Sequence, residues 1–149
     1  RLLSGFAPLQ KEPMSKPLNI LLVEDHDPLR QILTELLTER GFRTFSTERS
    51  EQALEMAREV QPDLGLLDMH LPDSNGLDLL LSIRREIGPM PAIMMSGEAS
   101  KSETDAALEA GVFRFLRKPI GFDHLHQTLD QLIQTHFNCP PGQPPASGV

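Results

Sequence analysis

The chain is poor in several features that mark common classes of protein. Its 149 residues include one cysteine, Cys139, too few for a disulfide framework or a cysteine-rich metal site. No run of about 18 apolar residues occurs, so the sequence predicts no membrane span. Basic residues are the minority, with 14 Lys and Arg against 21 Asp and Glu, whereas a nucleic-acid-binding module would show a basic face. The expected location is a reducing cytoplasm.

Both ends of the chain differ in composition from its middle. Residues 1–17 contain three prolines and are expected to be a tag, a linker or a disordered extension. Their apolar part is too short for a secretory signal. Residues 138–149 are rich in Pro, Gly and Ser, a composition typical of linkers and tails. One domain is therefore predicted over residues 18–137, long enough to bury a sizeable core.

Strand and helix patterns alternate five times in this domain. Alternation of this kind predicts an α/β fold, in which helices cover both faces of a parallel sheet. Polar residues in the second and fifth strands suit the edges, which favours the doubly wound, flavodoxin-like strand order 2-1-3-4-5. The predicted strands are 18–23, 43–47, 64–67, 92–95 and 112–116.

Helix starts are predicted from capping residues. Asp27 before Pro28 suggests an N-cap followed by a proline at the first helical position, and Ser50 is the expected cap of the second helix. The third helix is predicted from about Gly76. A weak fourth helix, over 101–110, has few large apolar residues to anchor it.

Polar side chains follow the predicted strands at the points where these end. Glu24 and Asp25 follow the first strand, Asp68 the third, Ser96 the fourth and Lys118 the fifth. Taken singly, such residues suit turns, helix caps or a solvated surface. Ligands of doubly wound sheets bind beyond the carboxyl ends of the strands. The joint position of the five residues therefore predicts a functional site.

Three carboxylates at one edge favour metal-assisted phosphoryl chemistry. Two like charges about 4 Å apart repel by roughly 4 kcal/mol at an effective dielectric constant near 20, so the cluster requires a cation. Oxygen ligands with space for water suit Mg²⁺, and no cluster of cysteine or histidine suggests zinc. Asp68, on a central strand, has the place of a nucleophile toward a phosphoryl group. Lys118, Ser96 and the metal would hold the oxygens of that group.

Four segments, LLVEDHD, LLDMHLPDSNG, MMSG and FLRKP, occur in this order along the chain. Together they resemble the response-regulator receiver domains of two-component signalling, over about residues 18–137. The resemblance implies that Asp68 is the phosphoacceptor. It also implies that Glu24 and Asp25 bind Mg²⁺ with Asp68 and the backbone carbonyl of His70.

The same resemblance assigns the remaining site residues. Lys118 faces the phosphoryl group and precedes a cis peptide bond to Pro119. Ser96 and Phe115 are the switch residues that pass the signal on.

The function implied is that of a phosphoacceptor rather than of an enzyme with other substrates. The donor would be a histidine kinase or a histidine phosphotransfer protein. Phosphorylation would change the surface of the fourth helix, fifth strand and fifth helix, and so control a downstream effector protein or an attached output domain. A homodimer on phosphorylation is compatible with this role, and neither direct nucleic-acid binding nor a membrane partner is expected.

Several positions vary the pattern of the family. The acidic pair is Glu24-Asp25 rather than two aspartates, which keeps both charges and lengthens one arm. Ser96 stands where threonine is commoner, and Phe115 where tyrosine is frequent. His70 and Glu98 lie two residues beyond Asp68 and Ser96, at positions where side chains bias the dephosphorylation rate in receivers.

Other functions agree less well with the sequence. A phosphatase resembling the haloacid dehalogenases would carry a second aspartate where His70 stands. A flavodoxin-like nucleotide binder would need a phosphate-binding loop after the first strand, and the sequence EDHD there would repel phosphate. A degenerate receiver that acts only as an interaction module is the stronger alternative.

Overall fold

The structure, a computed structural model, describes residues 17–137. Predictions about residues 1–16 and about the tail at 138–149 lie outside this range. Within it, no helix has the length and apolar character that crossing a membrane requires. The elements in chain order are β1 (Asn19–Val23), α1 (Asp27–Glu39), β2 (Arg43–Thr47), α2 (Ser50–Val60), β3 (Leu64–Asp68), α3 (Gly76–Ile87), β4 (Ala92–Ser96), α4 (Lys101–Glu109), β5 (Arg114–Arg117) and α5 (Phe122–His136).

The five strands form one parallel sheet in the order β2-β1-β3-β4-β5. This order confirms the predicted fold, including β2 and β5 as its edges. Every residue of β3 and β4 is buried, because helices cover both faces of the sheet there. The short apolar runs of the sequence are therefore the centre of the sheet.

Helices divide between the two faces of the sheet. One core contains Leu33 and Leu37 of α1 with Leu129 of α5, and the other contains Leu80 of α3 with Ala107 of α4. Successive strand residues point to opposite faces, so each central strand contributes to both cores. The two layers of helices pack against the sheet and so fix the ends of the strands. The loops at the carboxyl edge extend from these fixed ends.

Most predicted strand bounds agree with the structure to within one residue, but the start of β5 and the caps of two helices differ. Asp27 is the first residue of α1 rather than its cap, and the preceding His26 makes no capping bond with its side chain. Strand β5 begins at Arg114, two residues later than predicted, because Val112 and Phe113 belong to the turn that leads into it. Ser50 likewise lies inside α2 and does not cap it.

The cap of α2 comes from a distant loop. Asp73, between β3 and α3, accepts hydrogen bonds from the backbone N–H of Ser50 (3.0 Å) and of Glu51 (3.2 Å). These bonds satisfy amides at the helix start that have no partner within the helix. The pKa of Asp73 lies below its ordinary value of 3.8, because the N–H of Ser50 and, to a smaller extent, that of Glu51 stabilise the charged carboxylate. The loop after β3 is thereby attached to α2.

Replacing Asp73 by alanine is expected to lower the free energy of unfolding by about 1 kcal/mol at pH 7, as loss of a helix cap does. Because the pKa of Asp73 is lowered by folding, its contribution is present above the unfolded pKa and is lost as the pH falls through the folded value. Urea unfolding of both proteins at pH 7 and at pH 3 measures this. A difference that is equal at the two pH values would contradict the capping role of the charged form.

Candidate functional site

Strand pairing brings the predicted site residues to one edge of the sheet. Asp68 ends β3 opposite Met95 of β4, and Ser96 ends β4 opposite Arg117 of β5. The backbone N–H of Lys118 donates to the carbonyl of Ser96 at 2.9 Å, which continues the pairing one residue further. Glu24 directly follows β1, the other neighbour of β3. Parallel strands thus deliver these side chains from four segments far apart in the sequence.

Lys118 lies between two carboxylates of this edge. Its Nζ is 2.7 Å from Glu24 Oε1 and 2.8 Å from Asp68 Oδ2. The other oxygen of each carboxylate accepts a backbone N–H at 3.0 Å, Glu24 Oε2 that of His26 and Asp68 Oδ1 that of His70. Glu24 and Asp68 are buried, so a solvated surface cluster is excluded.

The electrostatics of the cluster show in two shifted pKa values. Burial raises the pKa of Glu24 above its ordinary 4.5, and the neighbouring Asp68 raises it further, although the Lys118 ammonium and the N–H of His26 act in the opposite direction. Burial alone would lower the pKa of Lys118, but its bonds to Asp68 and Glu24 outweigh that effect and leave the pKa above 10.5. Lys118 therefore stays charged and neutralises part of the cluster.

The carboxylates have the composition of a magnesium site. One carboxylate oxygen each of Glu24, Asp25 and Asp68 lies within 4.8 Å of the others. Oε1 of Glu24 is buried, and it pairs with the Lys118 ammonium at 2.7 Å. Asp25 is exposed, which leaves one side of the cluster open to water. An oxygen-only set that is open to water suits Mg²⁺, so the residues fit this ion.

The loop between Asp68 and α3 is closely packed. The N–H of Gly76 donates to the carbonyl of Met69 at 2.6 Å, and Asn75 caps α3 by accepting the N–H of Asp78 at 2.8 Å. A Cβ at Gly76 would collide with the backbone carbonyl of Asp68. Only glycine therefore allows α3 to begin this close to the end of β3.

The two predicted switch residues occupy different surroundings. Ser96 is fully buried, and its Oγ accepts the N–H of Glu98 at 3.1 Å and lies 3.3 Å from Nδ1 of His70. Phe115 is half-buried in β5 opposite Met94, and its ring packs against the core shared by α2, α3 and α4. The Lys118–Pro119 peptide bond is cis, as predicted. The switch role of the pair stays a prediction.

Two site residues were missed by sequence reasoning. Arg30 of α1 donates to the backbone carbonyl of Glu24 at 2.9 Å and to Asp27 at 2.7 Å, and so holds the loop that carries the acidic pair. No sequence signal distinguishes it from other helix-face arginines. Glu103 contacts His70 at 3.2 Å and completes a capping box with Ser100. Its signal was present as the spacing S-x-x-E at the start of α4.

Comparison with known proteins gives one family. The family model described as "Response regulator receiver domain" matches residues 20–130. The chain is 34% identical to the KDP operon transcriptional regulatory protein KdpE of Escherichia coli, over 79% of this chain and 52% of that protein. It is 30% identical to the transcriptional regulatory protein GlrR of E. coli, over 80% of this chain and 27% of the relative. The chain thus spans about half the length of the first relative and about a quarter of the second.

Solved structures give the same result for the fold. The non-phosphorylated HemR receiver domain from Leptospira biflexa superposes with a TM-score of 0.75 at 30% identity, over 86% of this chain and all of that one. The chemotaxis response regulator CheY4 of Vibrio cholerae superposes with a TM-score of 0.71 at 22% identity, over 78% of this chain and 99% of that one. At that identity the second likeness concerns the fold alone.

Replacing Lys118 by methionine is expected to lower the free energy of unfolding without metal by about 1.5–3 kcal/mol at pH 7, because buried carboxylates lose a charge-assisted partner. Adding Mg²⁺ should recover part of this loss, since a bound cation neutralises the same oxygens. Urea unfolding with and without Mg²⁺ measures both effects.

The matched control is Lys101→Met. Lys101 pairs with Asp105, but both side chains are exposed, so this change should cost little. Equal losses in the two variants would contradict the neutralising role of Lys118.

Proposed function

Because the chain belongs to the family of response regulator receiver domains of two-component systems, we propose that it accepts a phosphoryl group on Asp68 and changes its surface in response. The observation that carries the proposal is the Asp68 carboxylate itself. It is buried at the end of the central strand, beside two further carboxylates and in contact with Lys118. An aspartate with a purely structural role would not need two further carboxylates and an ammonium group beside it.

The proposed reaction is a direct transfer from a phosphohistidine. One oxygen of Asp68 attacks the phosphorus, the new O–P bond forms as the N–P bond breaks, and the imidazole of the donor leaves with the electron pair. Lys118 orients the nucleophile through Oδ2, and the N–H of His70 does so through Oδ1. After transfer the Lys118 ammonium stays beside the phosphoryl oxygens and stabilises their charge.

Magnesium bound by Glu24, Asp25, Asp68 and the carbonyl of His70 would supply positive charge beside the transferring group. The support for this ligand set is the spacing of the three carboxylates, which the single ammonium of Lys118 neutralises only in part. Ser96, at the end of the next strand, has a hydroxyl that can donate to a phosphoryl oxygen. Ser96 and Phe115 then form the proposed link to the surface of α4, β5 and α5.

The donor protein must approach the open edge of the sheet. Helix α1 starts two residues after Asp25, and α5 starts four residues after Lys118. Both helices carry exposed apolar side chains, Ile32 at 46% and Phe122 at 40%. Such residues supply the contact area that a docking partner buries. We place the histidine kinase or phosphotransfer protein on this surface, and the effector on the surface of α4, β5 and α5.

The alternative is a receiver that works only as an interaction module without phosphorylation. Such a protein has no need for a buried, metal-ready carboxylate cluster. The intact set of Glu24, Asp25, Asp68 and Lys118 favours phosphorylation over this alternative. The experiments below separate the two.

Incubation with acetyl phosphate and Mg²⁺ is expected to add one acid-labile phosphoryl group to the protein. Asp68→Asn keeps the shape of the side chain but removes the nucleophile, so uptake should fall to background. Intact-protein mass spectrometry before and after hydroxylamine treatment measures the acyl phosphate. Uptake by Asp68→Asn at the normal rate would refute the assignment, and no uptake by the unchanged protein would favour the interaction module.

Replacing Asp25 by asparagine removes one charged ligand, so the affinity for Mg²⁺ is expected to fall about tenfold or more. The metal-free variant should be slightly more stable than the unchanged protein, because repulsion within the cluster is relieved. Amide shifts during a Mg²⁺ titration give the affinity. Asp27→Asn is the control, since Asp27 pairs with Arg30 outside the cluster. Equal affinities in the Asp25 and Asp27 variants would contradict the ligand role.

A further inference from the structure

The side chain of His70 joins Ser96 to helix α4. Its Nδ1 lies 3.3 Å from the buried Oγ of Ser96, and its Nε2 lies 3.2 Å from Oε2 of Glu103 in the first turn of α4. The backbone of the same residue contributes separately, through an N–H that bonds Asp68. The imidazole is therefore the one described side chain that contacts both Ser96 Oγ and Glu103.

The direction of these two hydrogen bonds follows from proton counting. The Glu103 carboxylate acts as an acceptor at both oxygens, because Oε1 accepts the backbone N–H of Ser100 in the capping box and Oε2 faces Nε2 of His70. In a neutral imidazole one ring nitrogen donates and the other accepts, so a proton on Nε2, the nitrogen that faces Glu103, leaves Nδ1 as an acceptor. Oγ of Ser96 already accepts the N–H of Glu98. Its own O–H therefore donates to Nδ1 of His70.

A serine hydroxyl has only one proton to donate. We propose that His70 is a positioning residue of the resting state, whose Nδ1 competes with the phosphoryl group on Asp68 for the hydroxyl proton of Ser96. The inference rests on the proposed phosphoacceptor role of Asp68. When Ser96 turns to a phosphoryl oxygen, His70 loses this partner, and the change reaches Glu103 and the start of α4.

Helix α4 is held in a way that lets it respond at one end. Its buried residue is Ala107, so apolar packing anchors it weakly. At its C-terminal end Arg84 donates to the carbonyls of Ala110 (2.5 Å) and Gly111 (3.3 Å). The same arginine also donates to the carbonyl of Met90 in the loop before β4. At its N-terminal end the bonds are exposed ones, the capping box and the contact with His70. The N-terminal end is therefore the end that the loss of the His70 contact can release.

The first test measures the tautomer of His70 in the metal-free protein. Long-range proton–nitrogen NMR spectra at pH 8 should show the proton on Nε2 and none on Nδ1. Glu103→Gln keeps an amide oxygen for the capping box and places an amide donor opposite Nε2, so it should shift the proton to Nδ1. A dominant Nδ1–H tautomer in the unchanged protein would overturn the inference, without any reference to phosphorylation.

The second test is a titration with beryllofluoride and Mg²⁺, followed by the amide shifts of residues 100–117. His70→Ala removes the competitor, so the midpoint should fall about two- to tenfold, the equivalent of one ordinary net hydrogen bond. Glu103→Gln should lower it in the same direction, because the Nδ1–H tautomer leaves the Ser96 proton free. Both variants alter exposed side chains and are expected to fold.

Two controls isolate the mechanism. In a Ser96→Ala background, His70→Ala should leave the midpoint unchanged, because there is no hydroxyl to compete for. Ser100→Ala weakens the capping box but keeps the His70 contact, so any change that it causes in the midpoint should persist in the Ser96→Ala background. A His70→Ala midpoint that is unchanged, or that falls equally without Ser96, would overturn the inference. A complete lack of beryllofluoride response in the unchanged protein would instead contradict the phosphoacceptor role of Asp68.

Discussion

The repulsion among three carboxylates at one edge of the sheet is the constraint on which the site depends. Glu24 is fully buried and Asp68 nearly so, and burying a charge is costly unless it is paired and hydrogen-bonded. The protein meets this cost with the Lys118 ammonium between the two carboxylates and with backbone N–H groups from His26 and His70. The same shortage of positive charge suits the site to the magnesium ion proposed for it. The stability of the fold and the proposed metal binding therefore both depend on the excess of negative charge at this edge.

The loops around this cluster are fastened to neighbouring helices rather than to the cluster alone. Asp73 in the loop after Asp68 caps α2, and Arg30 of α1 holds the carbonyl of Glu24. Gly76 lets α3 begin against the end of β3. A nucleophile that must meet a phosphoryl group in one geometry benefits from such fastening, because the ordering entropy is paid during folding rather than at the reaction.

Helix α4 contrasts with α1, α3 and α5 in how it is held. Each of these three helices buries two or more large apolar side chains, whereas α4 buries Ala107 and is otherwise held by polar contacts at its two ends. Elements with little buried apolar surface lie at the low end of local stability and are the ones that move at small cost. A change of a single hydrogen bond at Ser96 is comparable in size with the contacts that hold this helix start. The energy of one hydrogen bond is small compared with the burial of apolar side chains that holds α1, α3 and α5.

The sequence by itself determined the fold, because the spacing of apolar residues distinguishes buried strands from amphipathic helices. It also predicted which side chains meet at one edge of the sheet, since Glu24, Asp25, Asp68, Ser96 and Lys118 all lie at or just beyond the carboxyl ends of parallel strands. Helix caps were less predictable. Asp27 and Ser50 are the first residues of their helices rather than the caps, and α2 takes its cap from Asp73, more than 20 residues away. The contacts of Arg30, and the bridge from Ser96 through His70 to Glu103, depended on how the loops cross one another. Only the tertiary structure decided these, because local residue patterns carry no information on where a side chain from another loop will point.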